Sequence, residues 1–142
     1  MPTYIPKADT FDRNWFVVDA SGQVLGKVAV AVADILSGKK KPTYTPFLDT
    51  GDHVIVVNAA KLALTGRKEN TKQYRRHSGF LGGLKSASAA DVRRKHPTRI
   101  VESAVRGMLP KTRLGRAMFS KLKVYAGPEH PHKAQKPEAV KV

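Results

Sequence analysis

From Ser103 to Pro128 the chain holds no carboxylate, yet it carries Arg106, Lys111, Arg113, Arg116, Lys121 and Lys123. A guanidinium grips two phosphate oxygens at once, and an ammonium supplies a mobile point charge beside it. Four further clusters repeat the theme. Lys39, Lys40 and Lys41 lead into Thr43, Tyr44 and Thr45; Arg67 and Lys68 form a pair; Lys72, Arg75, Arg76 and His77 surround Tyr74; and Arg93, Arg94 and Lys95 precede Arg99. Any one cluster reads equally well as an ordinary solvated face. Together they are distributed unevenly: residues 1–66 carry a net charge of +1 and residues 67–142 the remaining +14 of the total +15. A surface chosen for solubility alone would mix the signs. Excluding carboxylates while collecting cations suits a polyanion, and nucleic acid is the expected one.

Other chemistry fares worse. Gly22 to Val28 sits where phosphate loops sit, between an apolar run and a helical pattern, and contains Gly26-Lys27. A phosphate loop needs four residues between its glycines and a hydroxyl after the lysine. Here three intervene and Val28 takes the hydroxyl's place, so a nucleotide-dependent enzyme is not expected. His130 and His132, each beside Pro131, could begin a metal site, but no cysteine exists and two imidazoles alone do not close a zinc shell. They serve as well for hydrogen bonding to phosphate or stacking on a base. Asp49 and Asp52 bracket Thr50-Gly51. Paired carboxylates can do acid–base work, yet Asp-Thr-Gly-Asp before a strand also reads as turn and capping chemistry. The serines lack a nucleophile-elbow context. No catalytic residue, metal or cofactor is expected. Aromatic residues make up only 7% of the chain, too few for a stacking platform along unstructured strands. Phosphate and shape recognition of folded RNA fits better than base reading.

The elements that must position these groups can be read from apolar spacing. Trp15 to Val18 and Val54 to Val57 are unbroken apolar runs, the pattern of strands buried on both faces. Between them Leu25, Val28, Ala29, Val32, Ala33 and Leu36 recur at a helical period ended by Ser37-Gly38. Ser21 is a candidate cap for that helix. Strand, helix and strand read as a βαβ unit, so an α/β layer fold is expected. Further on, Gln73 to His77 reads as extended, Phe80 to Leu84 as a glycine-rich loop, and a helix runs from about Ala89 to an interruption at His96-Pro97. Pro97 suits the start of a second helix with the stripe Ile100, Val101, Ala104, Val105 and Met108, which Pro110 ends. Leu114, Met118 and Leu122 repeat at four-residue spacing, and Lys123 to Tyr125 reads as a last strand. At 142 residues and 41% hydrophobic the chain suits one domain, 1–142, with an N-terminal extension over 1–13 and an extended tail over 128–142. The first residues lack a secretory pattern and no apolar run approaches a membrane span, so an intracellular, membrane-free protein is expected.

One block is specific enough to compare with a known family. Val105 to Lys111, continuing through Leu114-Gly115-Arg116-Ala117-Met118 to Leu122 to Gly127, resembles the signature of the bacterial large-subunit ribosomal protein family numbered thirteen. So do Trp15 with Val17 to Ala20, Tyr44-Thr45-Pro46, Asp49 to Asp52, Gly82-Gly83 and the closing His130, His132 and Pro137. The resemblance spans about residues 10 to 137. It implies a three-layer α/β/α domain around a four-stranded, mainly parallel sheet, with extended basic loops and tail. It also implies a non-catalytic protein of cytoplasmic ribosomes that binds large-subunit ribosomal RNA and acts early in subunit assembly beside neighbouring ribosomal proteins. Arg106, Lys111, Arg113 and Arg116 would lie at the RNA, with Tyr44 and the Lys39–Lys41 loop on a similar surface. The tail carrying His130 and His132 would lie against RNA or a neighbouring protein, and Asp49 to Asp52 would be a structural turn. The same cationic clusters are compatible with binding a messenger RNA. No second copy of the chain is expected as a partner.

Overall fold

The computed structural model describes residues 5–7 and 11–142, so most of the expected N-terminal extension lies outside the described residues. The chain runs β1 (Trp15–Asp19), α1 (Leu25–Ser37), β2 (His53–Val57), α2 (Lys68–Thr71), β3 (Gln73–His77), β4 (Leu84–Ser88), α3 (Ala89–Lys95), α4 (Pro97–Met108), α5 (Arg113–Ser120), β5 (Leu122–Val124) and β6 (Glu138–Val140). Two 3₁₀ turns, Ala59–Lys61 and Lys133–Gln135, complete it. Four strands form one parallel sheet in the order β5-β2-β1-β6, and β3 with β4 makes a separate antiparallel hairpin.

The apolar runs account for the centre of the sheet. β1 and β2 pair in parallel with Trp15 opposite His53 and Val18 opposite Val56, and α1 supplies the crossover that parallel neighbours require. Alternation sends Val18, Val54, Val56 and Leu122 to one face, where they share one core with Val28, Val32 and Leu36 of α1, Val92 of α3, Ile100, Val101 and Val105 of α4, and Met118 of α5. The opposite face carries Trp15 and His53, whose rings stack at 4.3 Å, and the C-terminal segment brings His132 to 5.1 Å from Trp15.

Three local expectations change. Ser21 does not cap α1: the N-cap is Val24, without a side-chain hydrogen bond, while the Ser21 amide donates to the Asp19 carboxylate at 2.9 Å. Leu122 leaves the stripe of α5, which ends at Ser120, and begins β5 instead. The tail is more than an extended strand of chain over the surface. Glu138 to Val140 join the sheet as β6, pairing with Phe16 to Val18, and three residues with one charge carry no apolar period that would announce them.

The end of α1 is closed by Gly38 at φ +78°, whose amide and that of Lys39 donate to the carbonyls of Ile35 and Asp34. Asp49 to Asp52 then pass directly beneath this helix end. The Asp52 amide donates to the Ile35 carbonyl at 3.2 Å, and a side chain on Gly51 would collide with the Leu36 carbonyl. These contacts fix the turn that the rest of the loop hangs on.

Candidate nucleic-acid interface

The carboxylate-free stretch folds into the end of α4, the Leu109–Thr112 connection, α5 and β5. Pro97 opens α4 at a position where its missing N–H costs nothing, and the stripe Ile100, Val101, Val105 faces the core. That leaves Arg99, Ser103 and Arg106, spaced i, i+4 and i+7, on the outward face. Thr112 caps α5, its hydroxyl accepting from the Gly115 amide at 3.2 Å. Gly115 lets α5 close onto the preceding loop, because a side chain there would collide with the Pro110 carbonyl. This close approach sets Lys111 and Arg116 across a groove from Arg106.

That groove, about 660 Å³, is lined by Ser103, Arg106, Gly107, Leu109, Pro110, Lys111, Gly115, Arg116 and Phe119. The Arg106 guanidinium lies 5.9 Å from the Phe119 ring centre, a cation–π contact that holds it in place. A second groove of about 510 Å³ joins it at Ser103. It runs between the β3–β4 hairpin and α4, with Arg75, Arg76, Lys85 and Arg99 on its walls. Neither lining includes a carboxylate. A third, of about 280 Å³, meets the first at Leu109 and Pro110 and brings in Lys39 and Tyr44. The structure therefore gathers Lys39, Tyr44, Arg75, Arg76, Arg106, Lys111 and Arg116 from three sequence clusters onto adjoining concave surfaces.

Electrostatics on this face is unbalanced within the protein. Neither α4 nor α5 has an acidic residue in its first turn, although a helix N-terminus favours negative charge. Arg99 and Arg113 stand in those first turns instead. Both helix N-termini therefore carry a cation where a carboxylate is favoured, an arrangement that an external anion complements.

Other candidates have different employment. Lys121 is buried, 4% exposed, with its ammonium 2.5 Å from the Asp49 carboxylate and donating to the Leu36 carbonyl at 3.2 Å. Burial pulls its pKa down, against the opposing pull of Asp49. Lys41 binds the buried carboxylate of Asp52 at 2.6 Å and the Asp12 carbonyl at 3.0 Å. The Arg93 guanidinium is spent on Glu69 and on the carbonyls of Ala60 and Leu62. The His132 ring lies tilted by 33° against Trp15 and shares a 2.8 Å hydrogen bond with the Tyr125 hydroxyl, and His130 stacks beside it at 6.4 Å. Lys121, Lys41, Arg93 and His132 thus each hold a partner within the fold. Sequence shows charge but not the partner that consumes it. Asp49 and Asp52 are likewise tied up in these ion pairs rather than aimed together at a reacting atom.

Arg67, Lys68, Lys72, Arg94, Arg113 and Lys123 are exposed but line none of the three grooves. Lys40 is also exposed and lines a separate depression near Asn14. Lys72 lies over the Tyr74 ring at 5.6 Å, and Arg94 pairs loosely with Asp91 at 3.6 Å. Lys85 was absent from the expected set, since only the hairpin register, which pairs it with Arg76, brings it to the groove. Arg99 was visible as a cluster member, and its i, i+7 relation to Arg106 is the signal that marks both as one face. Among the described residues no group of three His, Cys, Asp or Glu side chains could hold a metal ion, and no helix is long and apolar enough to cross a membrane.

Comparison with known proteins adds the family. The profile of ribosomal protein L13 matches residues 13–131. A large ribosomal subunit protein uL13 from Microchaete diplosiphon is 57% identical over 140 residues, covering 99% of this chain and 93% of the relative. The proteins of that name from Halorhodospira halophila and Alcanivorax borkumensis are 56% and 53% identical, each over the full length of both chains. With the match running from before β1 to beyond β5, this chain belongs to the ribosomal protein L13 family.

Proposed function

We propose that the protein is a structural constituent of the large ribosomal subunit, binding its ribosomal RNA through phosphate and shape contacts and catalysing no reaction. The observation that carries the reading is the pair of adjoining grooves between the hairpin, α4 and α5, which present seven cations and no carboxylate. The relatives named large ribosomal subunit proteins supply the setting. Physically the function is positioning. A rigid α/β core holds guanidinium groups at fixed spacing, and RNA segments that satisfy them are held in register. Each phosphate contact releases counterions, so affinity falls with salt in proportion to the number of contacts. Because the core is built from the protein's own buried residues, the grooves exist before RNA arrives. This suits action early in subunit assembly, on cytoplasmic ribosomes, beside neighbouring ribosomal proteins.

Filter binding of the purified protein to a large-subunit ribosomal RNA transcript across a salt series tests it. If all seven groove cations meet phosphates, the plot of log affinity against log salt has a slope of about −5 to −6. A slope near zero, or equal affinity for a heteropolymer of unrelated fold, would overturn the reading. A messenger RNA that competes at similar concentration would show the same face serving a second ligand.

A further inference from the structure

The β3–β4 hairpin ends in a feature that charge neutralisation leaves unexplained. Phe80 is 79% exposed and Leu81 fully exposed at its tip, with Leu84 at 61% just behind. The tip is a built turn. The Ser78 amide donates to the Gly83 carbonyl at 3.1 Å, the Gly83 amide to the Phe80 carbonyl at 2.9 Å, and the Gly79 amide to His77 Nδ1 at 3.0 Å. Gly79 at φ +92° and Gly82 at φ +68° take conformations that side chains resist, and a side chain on Gly83 would collide with Ser78. An aromatic ring is thus held outward by a hydrogen-bonded loop, which lowers the entropy lost when something covers it.

The surroundings say what covers it. Residues 70–90 contain no carboxylate and include Lys72, Arg75, Arg76 and Lys85. Arg75 and Arg76 are successive strand residues whose side chains leave the hairpin in opposite directions, although both contribute to the groove against α4, so cations flank the apolar tip. Arg76 stands directly opposite Lys85 in the register, a like-charge pair that destabilises the free hairpin. A pocket on a neighbouring protein would have to supply carboxylates on both faces at once. An RNA does so by construction, with phosphates flanking bases whose faces are apolar.

We propose that the hairpin tip is a base-stacking wedge: Phe80, backed by Leu81, enters folded RNA and stacks on an unpaired base while Arg75, Arg76 and Lys85 meet the phosphates on either side. This rests on the RNA-binding reading above and adds a base contact to it. The two kinds of contact differ in their salt dependence. A stacking ring contributes affinity without releasing counterions, whereas each phosphate contact changes the slope.

The test compares wild type with Phe80→Ala, Phe80→Trp and Arg76→Ala, each checked for an unchanged melting temperature, in filter binding to the large-subunit ribosomal RNA transcript over a salt series. Phe80→Ala is expected to weaken binding between about fivefold and a hundredfold, the range for loss of one stacked base, at an unchanged salt slope. Phe80→Trp is expected to restore it, and Arg76→Ala to reduce the slope by about 0.7 to 0.9. If Phe80→Ala binds as tightly as wild type while wild type binds with a steep slope, the wedge is overturned and the cationic face stands. Wild type failing to bind the transcript would remove both. A photo-crosslinking residue at position 80 that labels a neighbouring protein in assembled subunits, and not RNA, would also overturn the proposal.

Discussion

Lys121 and Arg116 lie five residues apart in the same carboxylate-free stretch, yet the structure gives them opposite roles, and alanine at each position separates these. Lys121→Ala removes the ammonium that neutralises Asp49, whose side chain is 16% exposed, and that satisfies the Leu36 carbonyl. Breaking a buried ion pair from one side costs about 3–5 kcal/mol. Partial hydration of Asp49 puts this case near 3 kcal/mol, which for a chain of this size lowers the melting temperature by about 10 °C. Folded Lys121→Ala protein is expected to keep the full salt dependence of RNA binding, because the ammonium never reaches the surface. Arg116→Ala does the reverse. The residue is exposed on the groove wall, so stability changes by less than about 0.5 kcal/mol. Loss of one phosphate contact lowers the salt slope by about 0.7 to 0.9, and affinity falls by about tenfold near 100 mM salt. Thermal melting and filter binding on the same preparations read both quantities. An unchanged melting temperature with a reduced slope for Lys121→Ala would refute the reasoning, since it would put the ammonium on RNA rather than on Asp49.

Two further outcomes follow from the packing. His53 has its pKa lowered, chiefly by burial and then by the nearby charges of Lys121, Arg13 and Lys123. The unfolded chain therefore binds this proton more readily than the folded one. The stability it contributes is present above about pH 6.5 and is lost as pH falls toward the folded pKa. Melting temperature is expected to drop between about pH 7 and about pH 5, and a His53→Phe variant to flatten that drop; an equal slope in both would contradict the assignment. Glycine pairs test the groove's construction. Gly115→Ala drives a methyl into the Pro110 carbonyl and is expected to cost about 2 kcal/mol or more. Gly107→Ala meets nothing within 4 Å in α4 and is expected to stabilise by about 0.5–1 kcal/mol. Equal effects in chemical denaturation would show that α5 does not depend on that close approach.

The central fold was readable because its signals are local. Four consecutive apolar residues in β1 and in β2, and the helical spacing of α1, each report burial without reference to the rest of the chain. β6 was not readable as a strand, since Glu138, Ala139 and Val140 become one only by lying beside β1. The site divides the same way. Arg106, Lys111 and Arg116 announce themselves by the carboxylates missing around them. The withdrawal of Lys121 depends on Asp49, 72 positions away, and that of Arg93 on Glu69 and the Ala60 carbonyl. Charge counts treat every cation as available. Long-range pairing decides which ones are, and that pairing is a property of topology. Lys85 illustrates the converse: a lone lysine in the sequence joins the groove through a cross-strand register that a single sequence does not display.

The most direct test of the central claim is sedimentation of a cell lysate through sucrose at moderate and then high salt, following this protein by mass spectrometry. Co-migration with the large ribosomal subunit that survives the salt wash is the result predicted for a structural constituent of the subunit. Protein remaining at the top of the gradient in both conditions would contradict a structural place in the subunit.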